Sequence, residues 1–257
     1  MNPSCRLALV ALLLGAATPL LRAAPPSPVV PDWAQPGSAT HTQVPPPADF
    51  RRATTTFATP IGIFEGQSDV GTAVVPGSAG FDGKTGQYTI HSAGYNIWYF
   101  RDEFRFLWKK MSGDVSLAAD ITFPKPDGYD DRKIVLIVRQ DLDDDAKEIM
   151  AGLHGAGLIH MAQRPTKRAD LEEACRDKGT GAVGNKAVRL GLEKHGDSFT
   201  LFVGQPDGSM KQVGEPVILK FDAPFYVGIG FTSHLPATSD TGVASKVVLE
   251  NAAGKVR

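Results

Sequence analysis

From residue 60 onward, apolar and polar residues alternate over short segments separated by Gly, Asp, Asn and Pro. In Val115–Phe123 the odd-numbered positions are apolar, and Ser116, Asp120 and Thr122 lie between them. A period of two predicts strands with one buried face and one more polar face. The same period occurs in 104–109, 188–193, 199–203 and 227–232. Roughly a dozen such segments at this spacing predict an all-β sandwich or barrel.

Two segments depart from this alternation. Ile134–Val138 is apolar throughout, which is typical of a central strand covered on both faces. Arg168–Arg176 is the one segment that we predict as a helix, a short one, within a polar insertion at Pro165–Lys186. The pattern shows no internal repeat and no second domain.

The first residues have the pattern of a secretory signal peptide, which we place at residues 1–23. Arg6 precedes the apolar run Leu7–Ala17, and the small residue Ala23 offers a cleavage point. The apolar run is about half of the roughly 20 residues that a bilayer-spanning helix needs. We therefore expect a cleaved leader rather than a membrane span, with an uncleaved signal anchor as the alternative, and a periplasmic or secreted protein.

Proline is concentrated after this leader. Because proline fixes φ and lacks an amide donor, residues 24–59 are predicted to be a flexible, extended linker. The strand pattern then predicts one domain at residues 60–250, followed by a C-terminal tail at residues 251–257.

Charge and cysteine content exclude some classes of protein. The formal net charge of -1 lacks the basic excess typical of proteins that bind nucleic acid. Of the two cysteines, Cys5 lies in the predicted leader, so Cys175 has no partner for an internal disulfide. We expect Cys175 to lie in an exposed loop among charged neighbours, without a catalytic role.

The usual catalytic signatures are missing, which favours a protein that is not an enzyme. The sequence has no Gly-x-Ser-x-Gly elbow, no phosphate-binding loop and no His-Glu-x-x-His. No strand supplies the two carboxyls, about 5 Å apart, that retaining glycosidases use. The acidic run Asp141, Asp143, Asp144 and Asp145 fits either a solvated turn or a structural calcium site. We favour the turn and expect no metal or cofactor.

Residues suited to sugar recognition group after Gly94. Trp98 offers a ring that can stack on the apolar face of a sugar, and Asn96 and Asp102 can hydrogen-bond to its hydroxyls. Packing of Trp98 in the core is an equally good interpretation.

Arg139 ends the buried strand, where a guanidinium needs a partner. It fits either an ion pair with Asp102 or Asp141, or a planar fork that grips a ligand. His154 and His234 lie at strand ends and in loops, where binding sites concentrate, and each also fits a structural role.

Several motifs together resemble a bacterial family of concanavalin A-like sandwich domains, some of which carry the label "regulation of enolase". The matching motifs are Ser68-Asp69-Val70-Gly71, Gly77–Asp82, Asn96-Ile97-Trp98, Val138-Arg139-Gln140, Leu153–Leu158, Gln163-Arg164, Phe225–Gly230 and Ser233-His234. The resemblance covers about 60 to 250. It departs at Ala244, where the family has an aromatic residue, and in the longer insertion at Pro165–Lys186.

The resemblance implies an all-β, two-sheet antiparallel jelly-roll sandwich of the lectin and glucanase type, with a concave face. It adds Gln163 to the candidate ligand-binding residues and transfers no catalytic residue. The subgroup it resembles is associated with exported proteins that carry β-propellers.

Three functions follow as hypotheses. The favoured one is an exported, non-catalytic module that binds a glycan or cell-envelope polymer on the concave sheet. The alternatives are a carbohydrate-active hydrolase or lyase and an envelope protein-interaction domain. In the enzyme, Arg139 would neutralise a carboxylate of the substrate, and His154 or His234 would act as the base.

Overall fold

The computed structural model describes residues 52–177 and 186–256, and these form seventeen strands and no helix. The signal peptide and most of the linker predicted from the sequence lie outside the described residues. The strands are β1 (Thr55–Phe57), β2 (Gly66–Val70), β3 (Ser78–Asp82), β4 (Gln87–Ser92), β5 (Ile97–Trp98), β6 (Arg101–Asp102), β7 (Phe104–Met111), β8 (Val115–Thr122), β9 (Lys133–Arg139), β10 (Glu148–His154), β11 (Ile159–Arg164), β12 (Glu172–Asp177), β13 (Val188–His195), β14 (Ser198–Gly204), β15 (Met210–Ile218), β16 (Phe225–Thr232) and β17 (Asp240–Glu250).

These strands build two large antiparallel sheets. The large sheet has the order β1-β2-β7-β16-β9-β10-β11-β12, and the small sheet has the order β15-β14-β13-β8-β17-β4-β3. A separate hairpin joins β5 to β6. Several neighbouring strands, such as β7 and β16 or β8 and β17, are far apart in sequence, which is typical of a jelly-roll sandwich. The fold class predicted from the sequence is confirmed.

The main core lies between the two sheets. It takes Leu117 and Ile121 from β8, Leu136 and Val138 from β9, and Ile229 from β16, all at most 1% exposed. On β8 and β16 these are the positions that the alternating pattern placed on the buried face. Since side chains on a strand alternate between faces, their neighbours on β9 and β16 point to the outer face of the large sheet.

The short helix predicted at Arg168–Arg176 is wrong. Residues 172–177 form β12 instead, which pairs with β11 at the edge of the large sheet. The polar composition suggested a solvent-exposed helix, but an exposed edge strand has equally few apolar positions. Cys175 is a free, partly buried thiol on this strand, and its Sγ lies 3.4 Å from the carbonyl oxygen of Val213. Burial raises the pKa of this thiol.

Chain segments on either side of the predicted domain also contact the sandwich. β1 lies within the residues assigned to the linker and pairs with β2 through Thr55–Phe57. In the predicted tail, Asn251 donates hydrogen bonds to the carbonyl oxygens of Ser112 and Asp114. The part of the chain that the structure describes contains no helix of the length and apolarity needed to cross a bilayer.

Candidate functional site

The outer face of the large sheet is covered over most of its area. Ile97 on the β5–β6 hairpin and Leu171 pack against the outward side chains of Phe106, Val135 and Met150 in a second apolar cluster. All five side chains are 5% exposed or less. An extended polymer therefore has no open groove along the middle of this sheet.

A fully buried ion cluster lies under this cover. Arg139, Glu148 and Arg164 are cross-strand neighbours on β9, β10 and β11. Asp102 from the hairpin accepts hydrogen bonds from Arg139 Nη1 at 2.7 Å and from two nitrogens of Arg164 at 2.8 Å each. Glu148 also pairs with both arginines. The four side chains are 0% exposed, so they bind one another and anchor the hairpin to the sheet.

At the opposite end of β9, a polar pocket of about 210 Å³ remains open. Lys133 and Arg139 are six residues apart on this strand, so their Cα atoms are separated by roughly 20 Å at 3.3 Å per residue. The pocket is lined by Asn96, Trp98, Asp131, Lys133, His154, Leu158, His160, Glu173, Arg176 and His234.

Two imidazoles form the centre of this pocket. His154 Nε2 and His160 Nε2 lie 3.3 Å apart, and the two rings meet edge to face. Because such a contact needs one donor and one acceptor, the two rings hold opposite protonation at Nε2. His160 reaches across β10 because position 152 is glycine: a Cβ there would lie 2.9 Å from the His160 Nε2.

A carboxylate lies beyond each imidazole. Asp131 Oδ1 is 3.4 Å from His154 Nδ1, and Glu173 Oε2 is 3.3 Å from His160 Nδ1. Glu173 is held in turn by Arg176 through two hydrogen bonds of 2.7 and 2.8 Å. Glu173 thereby holds the His160 ring from the edge of the pocket, whereas His154 Nδ1 makes no hydrogen bond to a described residue.

Both histidines are neutral at pH 7. Burial, together with the charge of Lys133, lowers the pKa of His154 to about 4, against the opposing effect of Asp131. Burial also lowers the pKa of His160 well below its usual value. Neutral imidazoles can each donate or accept a hydrogen bond, which suits recognition of hydroxyl groups.

Trp98 and Lys133 form the floor of the pocket. The half-buried indole of Trp98 stacks on His160, with ring centres 5.6 Å apart. The Lys133 ammonium lies 5.5 Å from the centre of the indole and donates a 3.3 Å hydrogen bond to the Ile97 carbonyl. Burial lowers the pKa of Lys133 to about 8, so the side chain is still mainly charged at pH 7.

Two residues contributed by loops complete the pocket. His234 follows β16 with a φ of 64° and stacks between the rings of Tyr95 and Tyr129. Asn96 is buried, and its Oδ1 accepts a hydrogen bond from the Ile97 amide. Trp98 belongs to the β5–β6 hairpin and Asn96 directly precedes it, so the hairpin that covers the outer face of the large sheet also supplies these two pocket residues.

The structure brings together Asn96, Trp98, His154 and His234, four of the candidate residues from the sequence. Asp102 and Arg139 lie apart from them, in the buried ion cluster. Gln163 lies opposite Ile149 on the core-facing side of β11, so it points away from the pocket.

Sequence reasoning missed Asp131, Lys133, His160, Glu173 and Arg176. Lys133 and His160 carried a usable signal, since each is a polar residue near the start of a strand that continues with apolar residues. Glu173 and Arg176 were hidden by the wrong helix prediction, and nothing in the local pattern singles out Asp131.

The acidic turn after β9 is occupied by a lysine side chain. Lys167 Nζ lies 3.2 Å from Asp141 and 3.4 Å from Asp145, and it also contacts Asp143. Within residues 52–177 and 186–256, no group of three or more His, Cys, Asp or Glu residues is arranged to hold a metal ion. The structural calcium site stays a prediction.

Comparisons with known proteins agree with the fold. No protein-family model matches the chain. No curated protein sequence matches it either. Among solved structures, the chain is similar to a functionally unknown protein from Saccharomyces cerevisiae, with 17% identity and a TM-score of 0.52 over 69% of this chain and 93% of that one.

Two further structures are similar at lower scores. One is the Bacteroides ovatus xyloglucan-locus protein GH43B, with 11% identity and a TM-score of 0.48 over 84% of this chain and 41% of that one. The other is the carbohydrate recognition domain of Emp46p in its metal-free form, with 11% identity and a TM-score of 0.44 over 68% and 87%. At these identities, the likeness to the yeast protein shows a shared sandwich fold and nothing beyond it.

Proposed function

We propose that this chain is an exported, non-catalytic module that binds a glycan or cell-envelope polymer by one small unit, in the pocket between His154, His160 and Trp98. The observation that carries the proposal is the convergence of neutral imidazoles, an indole and an amide at the open end of an otherwise covered sheet. Such a mixture of hydrogen-bonding groups and an aromatic surface suits sugar hydroxyls and ring carbons.

The size of the pocket limits what it can hold. At about 210 Å³ it is smaller than the roughly 300–1,000 Å³ typical of sites for drug-sized ligands. With the middle of the sheet covered by the β5–β6 hairpin, the pocket suits a terminal sugar or a side-branch rather than a run of sugars along a chain. The proposed resemblance to the "regulation of enolase" family is compatible with this role.

The catalytic alternative depended on Arg139 acting beside His154 on a substrate. Arg139 is instead 0% exposed and paired with Asp102 and Glu148, six residues along β9 from Lys133. That particular arrangement of catalytic groups does not occur. The protein-interaction alternative stays a prediction.

The test is retention by immobilised glycans, including purified cell-envelope polysaccharides, in an array or affinity gel. We expect the wild type to be retained. The His154→Ala and Trp98→Ala variants should each bind about tenfold more weakly or worse, because each loses a directed contact worth more than about 1 kcal/mol. His195→Ala is the matched control, since His195 is exposed at the end of β13, outside the pocket.

Circular dichroism and thermal unfolding would confirm that each variant is folded. Absence of retention on every glycan by the folded wild type would contradict the proposal. So would retention that the His154 and Trp98 variants share equally with the wild type, since binding would then lie elsewhere.

A further inference from the structure

The ammonium of Lys133 is the least satisfied charge in the pocket. Lys133 is 2% exposed, and its Nζ has one hydrogen bond, to the Ile97 carbonyl, plus the face of the Trp98 ring. An ammonium has three donors. Within the described ranges, no carboxylate lies at ion-pair distance from Lys133 Nζ, and Asp131 and Asp102 act on it only from further away.

Lys194 is a second buried lysine of this chain, and its ammonium has more protein partners than that of Lys133. Lys194 is 6% exposed, and its Nζ donates to two carbonyl oxygens, those of Gly113 and Gly196. Its ammonium also lies over the rings of Phe199 and Phe225. Lys133 is more deeply buried, has half as many carbonyl partners, and lines an open pocket.

Two of the other charges around the pocket are engaged with each other, and Asp131 lies beside a neutral imidazole. Glu173 forms a two-point ion pair with Arg176, and Asp131 lies against His154. The remaining titratable groups on neighbouring elements are His160 and His234, with Asp102 held in the ion cluster. The four charged side chains that line the pocket sum to zero, and Lys133 Nζ still has donors that a carboxylate entering the pocket would satisfy.

We propose that the pocket selects an acidic sugar of the hexuronate type, whose carboxylate binds the Lys133 ammonium while its hydroxyls bind the imidazoles of His154 and His160. This inference rests on the proposed function and specifies the class of sugar. A carboxylate carries one negative charge, which matches one ammonium. A phosphate monoester carries about −1.5 to −2 at pH 7 and would be repelled more strongly by Asp131.

The proposal predicts a defined pH dependence. The pKa of Lys133 is about 8, so the free protein loses the ammonium as the pH rises through this value. Affinity for an acidic sugar should therefore fall steeply between pH 7 and pH 10, while affinity for a neutral sugar should not follow this curve. The hexuronate carboxylate itself stays ionised over this range.

The experiment measures binding of glucuronate and galacturonate, their uncharged methyl esters, glucose and acetate, by calorimetry or NMR titration. The wild type at pH 7 should bind one of the two uronates at least about tenfold more tightly than its methyl ester, as expected for a buried charge-assisted contact. The Lys133→Met variant should lose this preference. Lys84→Met, in the exposed β3–β4 turn, should retain it.

Each outcome decides between the two proposals. If the wild type binds methyl esters or glucose as tightly as the uronates, the acidic-sugar inference is overturned and the glycan-binding proposal stands. Acetate bound as tightly as uronate would also overturn it, because the hydroxyls would then add nothing. If no saccharide binds here or on the glycan array, both proposals fail.

The preference of the wild type for acid over ester, and its pH profile, test the inference without any variant. They keep it testable if Lys133→Met does not fold.

Discussion

Asp102→Asn is expected to destabilise the fold strongly, because Asp102 joins the covering hairpin to the large sheet. Its carboxylate accepts three hydrogen bonds, of 2.7, 2.8 and 2.8 Å, from the guanidinium groups of Arg139 and Arg164. With Glu148, the cluster contains two positive and two negative charges, all 0% exposed. Asparagine keeps the shape of the side chain but leaves one positive charge without a counterion.

The size of the effect follows from the burial. Removing one partner from a buried ion pair costs about 3–5 kcal/mol, because the remaining charge stays desolvated. The new amide group of asparagine would also place a donor against a guanidinium donor. Since domains of this kind are stable by about 5–15 kcal/mol, the loss would be a large share of the total.

Urea unfolding at pH 7, followed by circular dichroism, measures the change in the free energy of unfolding. The matched control is Asp143→Asn, because Asp143 also contacts a cation, Lys167, but its side chain is 65% exposed. The control should lose less than about 1 kcal/mol. A loss below about 1 kcal/mol for Asp102→Asn, with an unchanged slope against urea, would refute this account of the cluster.

Two further predictions concern the pocket and the packing of the large sheet. Acidification from pH 7 to pH 4.5 should lower the free energy of unfolding by about 2–3 kcal/mol because of His154. The pKa of this residue is about 4 in the folded protein and about 6.5 in the unfolded chain. In this window the unfolded chain binds more protons, so stability falls with the pH. Urea titrations should show a weaker dependence for His154→Gln, and equal dependence would contradict the reasoning. Gly228→Ala should destabilise the protein by at least about 1–3 kcal/mol, since its Cβ would lie 1.8 Å from the backbone oxygen of Leu107. Gly80→Ala, with nothing within 4 Å of the added Cβ, is the control, and equal losses in the two variants would refute this argument.

The strands could be predicted because their signal is local. In Val115–Phe123 and 227–232, the face on which a residue lies depends only on whether its position is odd or even, and one face of the sheet is buried. The same reasoning failed at Arg168–Arg176, where an edge strand has little apolar alternation to reveal it. β1 was also missed, because its three residues are all exposed and their pairing with β2 leaves no hydrophobic pattern.

The candidate site, like the strands, could be predicted from the sequence only in part. Asn96 and Trp98 were recognised by composition, and Arg139 by its position at the end of a buried strand. That Arg139 binds Asp102 instead of a ligand depends on the β5–β6 hairpin, which folds over the sheet from a distant part of the chain. Sequence reasoning had named this ion pair as one of two alternatives, without a means to choose between them.

The sequence by itself therefore determined the all-β sandwich, which positions of its central strands are buried, and several residues of the pocket. Only the tertiary structure decided which polar residues share a solvent-open space. His154 and His160 become neighbours through strand register, Lys133 joins them from β9, and Glu173 from β12. Periodicity reports which face a residue occupies, whereas a binding site depends on distances between strands and on which part of a face another segment covers.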